Sequence, residues 1–263
     1  MTGGRGEIWL FDLGNSRLKA ARLERCEPVD VTALDWDRPD LATALRRDLA
    51  RWPRPDRVWV ASVASVVRAA KLRDALAALA PGRVEWPTTP RRAGGVVNRY
   101  AHPERLGIDR FMAMLAARAR TAGGCIVAGC GTALTLDALS ADGGHAEGLI
   151  TLSPTGMLQA LHDATAISDR NADAFVDRSS DDTAAALRAG CWASAGALVE
   201  WFAARCRSRQ AVESIWLHGG WAVQLADWLA RDGCRAEILD NAVLRGLAAW
   251  AAEARVESPA GDR

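Results

Sequence analysis

Residues 9–19 read W-L-F-D-L-G-N-S-R-L-K, and residues 126–136 read I-V-A-G-C-G-T-A-L-T-L. Each is an apolar run, a glycine with a small polar neighbour, and a second run suited to a strand. At an offset of 117 residues the apolar runs coincide, Gly14 meets Gly131, and Asn15 meets Thr132. Both stretches read as strand, tight turn and antiparallel strand, since Gly, Asn, Ser and Thr are turn formers. A repeat at this spacing predicts two lobes of one architecture.

The turns themselves suggest a ligand. Backbone N–H groups that converge at a glycine form an anion-holding nest, and a neighbouring hydroxyl adds a donor. Two such turns suit a triphosphate gripped from two sides. Asp12 ends an apolar run beside Gly14, Asn15 and Ser16, where it would repel phosphate unless a cation stood between them. It points to a hydrated Mg²⁺ held by one carboxylate and nucleotide oxygens, with Lys19 offsetting phosphate charge. An Asx-type turn, in which Asp12 only accepts from backbone amides, is the open alternative. A third glycine pair, Gly219-Gly220, follows Trp216-Leu217-His218, where backbone can approach a ring or ribose. There is no G-x-x-x-x-G-K-[ST] loop. Leu134 in "GCGTAL" stands where a dinucleotide fingerprint needs its third glycine.

The bulk numbers fit an ordinary globular protein. The chain has 263 residues, 49% hydrophobic and 25% charged, which suits two lobes or one large α/β unit. With 33 basic and 32 acidic residues its charge balance does not suggest a nucleic-acid patch. No apolar stretch approaches the ~20 residues that span a bilayer, so no membrane role is expected. Glu7 interrupts any secretory apolar core, and the expected location is cytoplasmic. The six cysteines have no C-x-x-C spacing and read as reduced thiols. The eleven tryptophans read as core packing.

Leu41, Leu45, Leu49 and Trp52 form a helical stripe, and residues 66–81 an Ala/Leu-rich helix ending at Pro81. Residues 57–64, 83–86, 214–220 and 235–239 read as strands, and 111–120, 183–207, 221–230 and 242–254 as helices. Between Pro87 and Gly107 prolines and glycines are frequent; so long an irregular connection is often functional. His145 and Glu147 follow Gly143-Gly144 and read as part of a solvated turn rather than an acid/base pair.

Taken together, "DLGNSRLK" at 12–19, Tyr100, "LGIDR" at 106–110, "GTALTLD" at 131–137, "DDT" at 181–183 and "HGG" at 218–220 resemble type III pantothenate kinases over about residues 7–250. The resemblance implies the actin, Hsp70 and sugar-kinase superfamily: an α/β fold of duplicated ribonuclease H-like lobes, with mixed sheets, flanking helices and a central nucleotide cleft. The expected lobes are 1–118, with the first phosphate loop and substrate loop, and 119–263, with the second phosphate loop and adenosine motif. It further implies ATP binding by Asp12, Gly14, Asn15, Ser16, Lys19, Gly131, Thr132, Gly219 and Gly220. Pantothenate binding falls to Tyr100, Gly107, Ile108, Asp109, Arg110 and Thr183, the last across a homodimer interface, with Asp109 as general base. The implied reaction is ATP-dependent phosphorylation of pantothenate, the first step of coenzyme A biosynthesis, with Mg²⁺ carried by ATP on Asp12.

Two departures stand out. The family's D-x-G-T-A aspartate holds K⁺ or NH₄⁺, and here that residue is Gly129, in "GCGTA". In "EGLITLSPTG", Glu147 replaces the first glycine of a G-G-x-I-x-P-G stretch. Gly129 keeps open a non-catalytic, nucleotide-binding regulatory homologue of the Bvg accessory factor type; a kinase for another hydroxylated acid is the third reading. An ordinary aspartate favoured at a helix N-terminus is the alternative for Asp109.

Overall fold

The computed structural model describes residues 6–36, 38, 40–80, 83–165 and 182–256. Its contacts divide the chain into unit 1, Met1–Ala119 with Ala242–Arg263, and unit 2, Arg120–Asn241.

In unit 1, β1 (Ile8–Leu13) pairs antiparallel with β2 (Arg17–Glu24), and β2 antiparallel with β3 (Glu27–Asp35). On its other side β1 runs parallel to β4 (Arg57–Ser62), which runs parallel to β5 (Arg83–Glu85). The spatial order is β3-β2-β1-β4-β5. Parallel neighbours need crossover helices, and here α1 (Leu41–Leu49) and α2 (Val66–Leu79) precede and follow β4. Leu45 and Leu49 of α1 and Leu72 and Leu76 of α2 pack with Trp9, Phe11, Trp36 and Trp52 in one buried cluster. The Trp9 and Trp52 rings meet edge to face at 5.4 Å. Burying such rings dominates core energetics, which accounts for these tryptophans.

The Pro87–Gly107 connection holds a two-residue hairpin, β6 (Arg92–Ala93) and β7 (Val96–Val97), and one 3₁₀ turn at Pro103–Arg105. It leads into α3 (Ile108–Arg118), which is buried along most of its length.

Unit 2 repeats the first sheet. Here β8 (Cys125–Cys130) pairs antiparallel with β9 (Ala133–Leu139), and β9 antiparallel with β10 (His145–Leu152). β8 also runs parallel to β11 (Ser214–His218), and β11 to β12 (Glu237–Ile238). The order β10-β9-β8-β11-β12 matches unit 1 strand for strand, in both sequence and sense. Cys125 follows Ile8 by 117 residues and Ala133 follows Arg17 by 116, because the second turn is one residue shorter. The helices are α4 (Pro154–Ala164), α5 (Thr183–Arg207) and α6 (Ala222–Arg231). α5 and α6 approach so closely that a Cβ on Gly196 would lie 2.6 Å from the Trp228 ring.

The last helix, α7 (Ala242–Val256), differs from the expected division at residue 118, which gave it to the second lobe. It packs on α3 of unit 1, where a Cβ on Gly246 would sit 2.0 Å from the Met112 carbonyl oxygen. The Trp59 and Trp250 rings, 6.5 Å apart, and the Arg245–Glu27 ion pair tie it to the first sheet. No helix among the described residues is long and apolar enough to cross a membrane.

Candidate functional site

In unit 1 the strand alternation sends Phe11 and Leu13 into the core and leaves Asp12 half-buried. Lys19 is its cross-strand partner. Burial pushes the Asp12 carboxyl from its ordinary 3.8 up to about 7; Lys19 draws it down and the Asp109 carboxylate pushes it up. Asp12 and Asp109, far apart in sequence, therefore share one electrostatic neighbourhood.

The turn after β1 is held from three directions. The Gly14 N–H donates to the Arg17 carbonyl at 3.1 Å. The buried Trp36 indole donates to the Gly14 carbonyl at 3.0 Å, and the Arg68 guanidinium, one turn into α2, donates to the Asn15 carbonyl. Ser65, the N-cap of α2, accepts from the Arg68 N–H, so the helix start and the turn are coupled. Asn15 and Ser16 remain exposed.

Asp109 lies in the first turn of α3, half-buried. Its Oδ1 accepts from the Arg110 N–H at 2.8 Å, so the helix-terminus role is present. The same oxygen would lie 2.7 Å from a Cβ on Gly107, so a side chain there would collide with it. Gly107 thus leaves room for the carboxylate, and Ile108, next in the chain, is buried. Arg110 is only 7% exposed, and its guanidinium reaches the half-buried Tyr100 hydroxyl at 3.4 Å. A cation this deep is costly unless polar groups answer it. The fold thus brings Asp12, Lys19, Tyr100, Asp109 and Arg110 together within unit 1.

In unit 2 the Gly131 N–H donates to the Ala133 carbonyl at 3.0 Å, closing the second turn with Thr132 exposed. Gly219 has φ +101°, and a Cβ there would lie 2.4 Å from the Cys130 carbonyl oxygen. The Trp221 N–H donates to that same carbonyl at 3.1 Å. The chain after β11 therefore folds onto the end of β8, beside the Gly131-Thr132 turn, and only glycine fits the crossing. Gly220 faces open space. At Gly129 a Cβ would lie 2.6 Å from Thr135 Oγ1 and 3.1 Å from His218 Nε2, so those side chains fill the room a residue there would need.

Thr183 is exposed at the start of α5, whose N-cap Asp182 accepts from the Ala185 N–H at 2.8 Å; Asp181 lies outside the described residues. His145 does not lie in a solvated turn. It opens β10, buried, with Nε2 2.8 Å from Asp137 Oδ1. The turn is confined to residues 140–144, closed by the Ser140 N–H on the Gly144 carbonyl. Glu147 instead pairs with Arg205 at 3.1 Å.

Sequence reading missed Trp36, Arg68, Arg91 and Asn98, all of which act on backbone carbonyls of loops.

The family model described as type III pantothenate kinase matches residues 8–205. The chain is 38% identical over 251 residues to a type III pantothenate kinase of Xylella fastidiosa (strain M23), covering 94% of this chain and 98% of the relative. It is 39% identical over 254 residues to one from Stenotrophomonas maltophilia (strain K279a), covering 96% and 99%. Among solved structures, the activator of the 2-hydroxyisocaproyl-CoA dehydratase from Clostridium difficile, with bound ADPNP, aligns at TM-score 0.54 and 10% identity over 98% of this chain and all of that one (100%). MreB 5 of Spiroplasma citri, bound to AMPPNP, aligns at 0.52 and 10% over 97% and 99%. At this identity the two share the fold with this chain.

Proposed function

The chain belongs to the type III pantothenate kinase family, and from that premise we propose that it transfers the γ-phosphoryl group of ATP to the primary hydroxyl of pantothenate, giving 4'-phosphopantothenate for coenzyme A biosynthesis. The observation that carries the reading is Asp109. It is a half-buried carboxylate at the head of α3, given room by Gly107, with the Arg110 guanidinium reaching the Tyr100 hydroxyl beside it.

Phosphoryl transfer needs positioning, charge neutralisation and a partner for the nucleophile's proton. Asp109 orients the acceptor hydroxyl and takes its proton as the oxygen bonds to the γ-phosphorus and the bond to the departing ADP breaks. Arg110 and Tyr100 fix the acceptor, together with Gly107 and Ile108 of the same loop. Gly14, Asn15, Ser16 and Lys19 receive phosphate oxygens, and Gly131, Thr132, Gly219 and Gly220 are assigned to the nucleotide as well.

Among the described residues no group of three or more His, Cys, Asp or Glu side chains is arranged to hold a metal alone. A lone hard carboxylate beside a phosphate turn suits Mg²⁺, which keeps several waters and binds one or two carboxylates plus substrate phosphates. Asp12 would hold it, and the ion would neutralise charge on the phosphates. A carboxylate-based K⁺ or NH₄⁺ site does not fit at Gly129, where Thr135 and His218 occupy the space; no step is assigned to a monovalent cation. Thr183 is exposed, as a contact across a homodimer interface requires, and a cytoplasmic location suits a kinase that uses ATP.

Gly129 is also what favours the second reading, a nucleotide-binding homologue without catalysis. The two separate in one assay: purified chain, Mg-ATP and pantothenate, followed by ADP release. Turnover is expected, falling at least ~100-fold in Asp109→Asn, as for loss of a general base. No turnover by the native chain overturns the kinase reading, and full turnover in Asp109→Asn removes that residue from the mechanism.

A further inference from the structure

The 89–106 segment has little secondary structure, yet its backbone is tied at many points. The Asn98 side chain is fully buried. Its Nδ2 donates to the Pro103 carbonyl at 2.9 Å and the Pro90 carbonyl at 3.4 Å, while Oδ1 accepts from the Tyr100 N–H at 3.0 Å. The Asn98 N–H donates to the Arg91 carbonyl at 2.9 Å. Arg91, at the exposed rim, donates through Nη1 to the carbonyls of Asn98 (2.9 Å) and Tyr100 (2.6 Å), and through Nη2 to that of Ala101 (3.1 Å). Thr89 Oγ1 closes the base on the Leu106 carbonyl at 2.6 Å.

Backbone groups in an irregular segment must find partners, and here the Asn98 and Arg91 side chains between them answer the Pro90, Asn98, Tyr100, Ala101 and Pro103 carbonyls and the Tyr100 N–H. The consequence falls on Tyr100. Its N–H is held by Asn98 and its carbonyl by Arg91, which fixes the backbone that carries the ring, and its hydroxyl meets Arg110.

We propose that Asn98 and Arg91 are positioning residues for the acceptor, holding the 89–106 loop and Tyr100 in the acceptor-binding shape before any substrate arrives. This rests on the assignment of Tyr100 and Arg110 to the acceptor. Neither Asn98 nor Arg91 touches substrate; each acts through the backbone that carries Tyr100. A loop ordered in advance spares the acceptor the ordering entropy of an induced fit. The first glycine turn is held by other residues, Trp36 and Arg68, so this network and that turn share none of the hydrogen bonds described for either.

Two measurements on the full-length chain test it, with Arg91→Lys and Asn98→Ala. Hydrogen exchange on the ligand-free protein reads the amides of Asn98, Tyr100, Arg105 and Leu106, each a donor within the loop. Slow exchange is expected in the native chain, with faster exchange confined to this segment in both variants. Steady-state kinetics should show the pantothenate KM raised about tenfold or more, with the ATP KM within about twofold, since misplacement near a site is costly to the ligand it orients. Fast exchange in the native chain, unchanged pantothenate KM, or an ATP KM rising in step overturns the proposal. Should Asn98→Ala fail to fold, Arg91→Lys, altered only at the rim, decides. A native chain that leaves pantothenate untouched overturns the substrate reading instead, while exchange still decides whether the loop is pre-formed.

Discussion

Replacing Asp12 with asparagine should make the ligand-free protein less sensitive to alkaline pH while removing its use of Mg-ATP. The reason is the cost of ionising Asp12. Its carboxyl ordinarily titrates at 3.8, and burial holds it at about 7. An acid raised on folding binds its proton more tightly in the native state, so stability is highest at low pH and is lost as pH rises from the unfolded value through the folded one. Between pH 5 and pH 8, the interval from 5 to about 7 is crossed, which at ~1.36 kcal/mol per pH unit gives a ceiling of roughly 2.7 kcal/mol. Water reaches the half-buried carboxyl, and halving for that screening leaves roughly 1.3 kcal/mol. In a unit of this size that is a Tm difference of about 3 to 5 °C. The assay is thermal unfolding of both proteins at pH 5 and pH 8 without nucleotide. Apart from Lys19 and Asp109, whose charges couple to Asp12, the titrating groups are shared and cancel, so the quantity read is the difference between the two pH-induced shifts: the native chain should lose about 3 to 5 °C more than Asp12→Asn. Equal shifts, or a variant that loses more, would refute the burial argument for Asp12. In the same preparations Asp12→Asn should lose turnover, because an amide oxygen is a far poorer Mg²⁺ ligand than a carboxylate.

Gly219→Ala forces a Cβ to 2.4 Å from the Cys130 carbonyl at φ +101°, a strain of about 1–3 kcal/mol; a measurable fall in Tm is expected, and an unchanged one would mean the crossing yields easily. Replacing K⁺ by a large organic cation should leave turnover within about twofold, since a surface without the carboxylate gains little from a bound monovalent ion. Activity abolished in K⁺-free buffer contradicts this.

The repeat was legible because it is written in short-range chemistry. A strand, a glycine turn and an antiparallel strand each leave local marks, and their recurrence at one spacing carried the fold. β3 and β10 were missed for a physical reason. They are sheet-edge strands with exposed positions, and Asp30, Asp35 and His145 look like loop residues until Arg22, Arg17 and Asp137 of the neighbouring strands supply their partners, while Glu27 and Glu147 are met by the helix residues Arg245 and Arg205. The place of α7 was equally hidden, since its periodicity declares a helix but not which sheet it covers. Asp12 and Asp109 were singled out separately; their electrostatic coupling needed coordinates. Arg91 and Asn98 act on carbonyls, which every residue has, so no spacing of side-chain types could announce them.

The repeat also shows how the two units differ in chemistry. Gly129 follows Asp12 by 117 residues, the offset that relates β8 to β1, so the two occupy equivalent positions. Their cross-strand partners are equivalent too: Asp12 faces Lys19, and Gly129 faces Thr135. On the parallel side Asp12 faces Ala61, and Gly129 faces His218. In unit 1 the neighbour on the parallel side is the small Ala61, beside the Asp12 and Lys19 pair. In unit 2 the pair has become glycine and threonine, and the larger His218 takes up the room. The change is mutual: restoring a carboxylate at 129 would require Thr135 and His218 to move. A substitution that spoiled a working cation site would leave a gap; this one is packed. Asp12, Lys19, Asp109 and Arg110, the charged groups named for the proposed reaction, therefore all belong to unit 1, and at the positions equivalent to Asp12 and Lys19 unit 2 carries the uncharged Gly129 and Thr135.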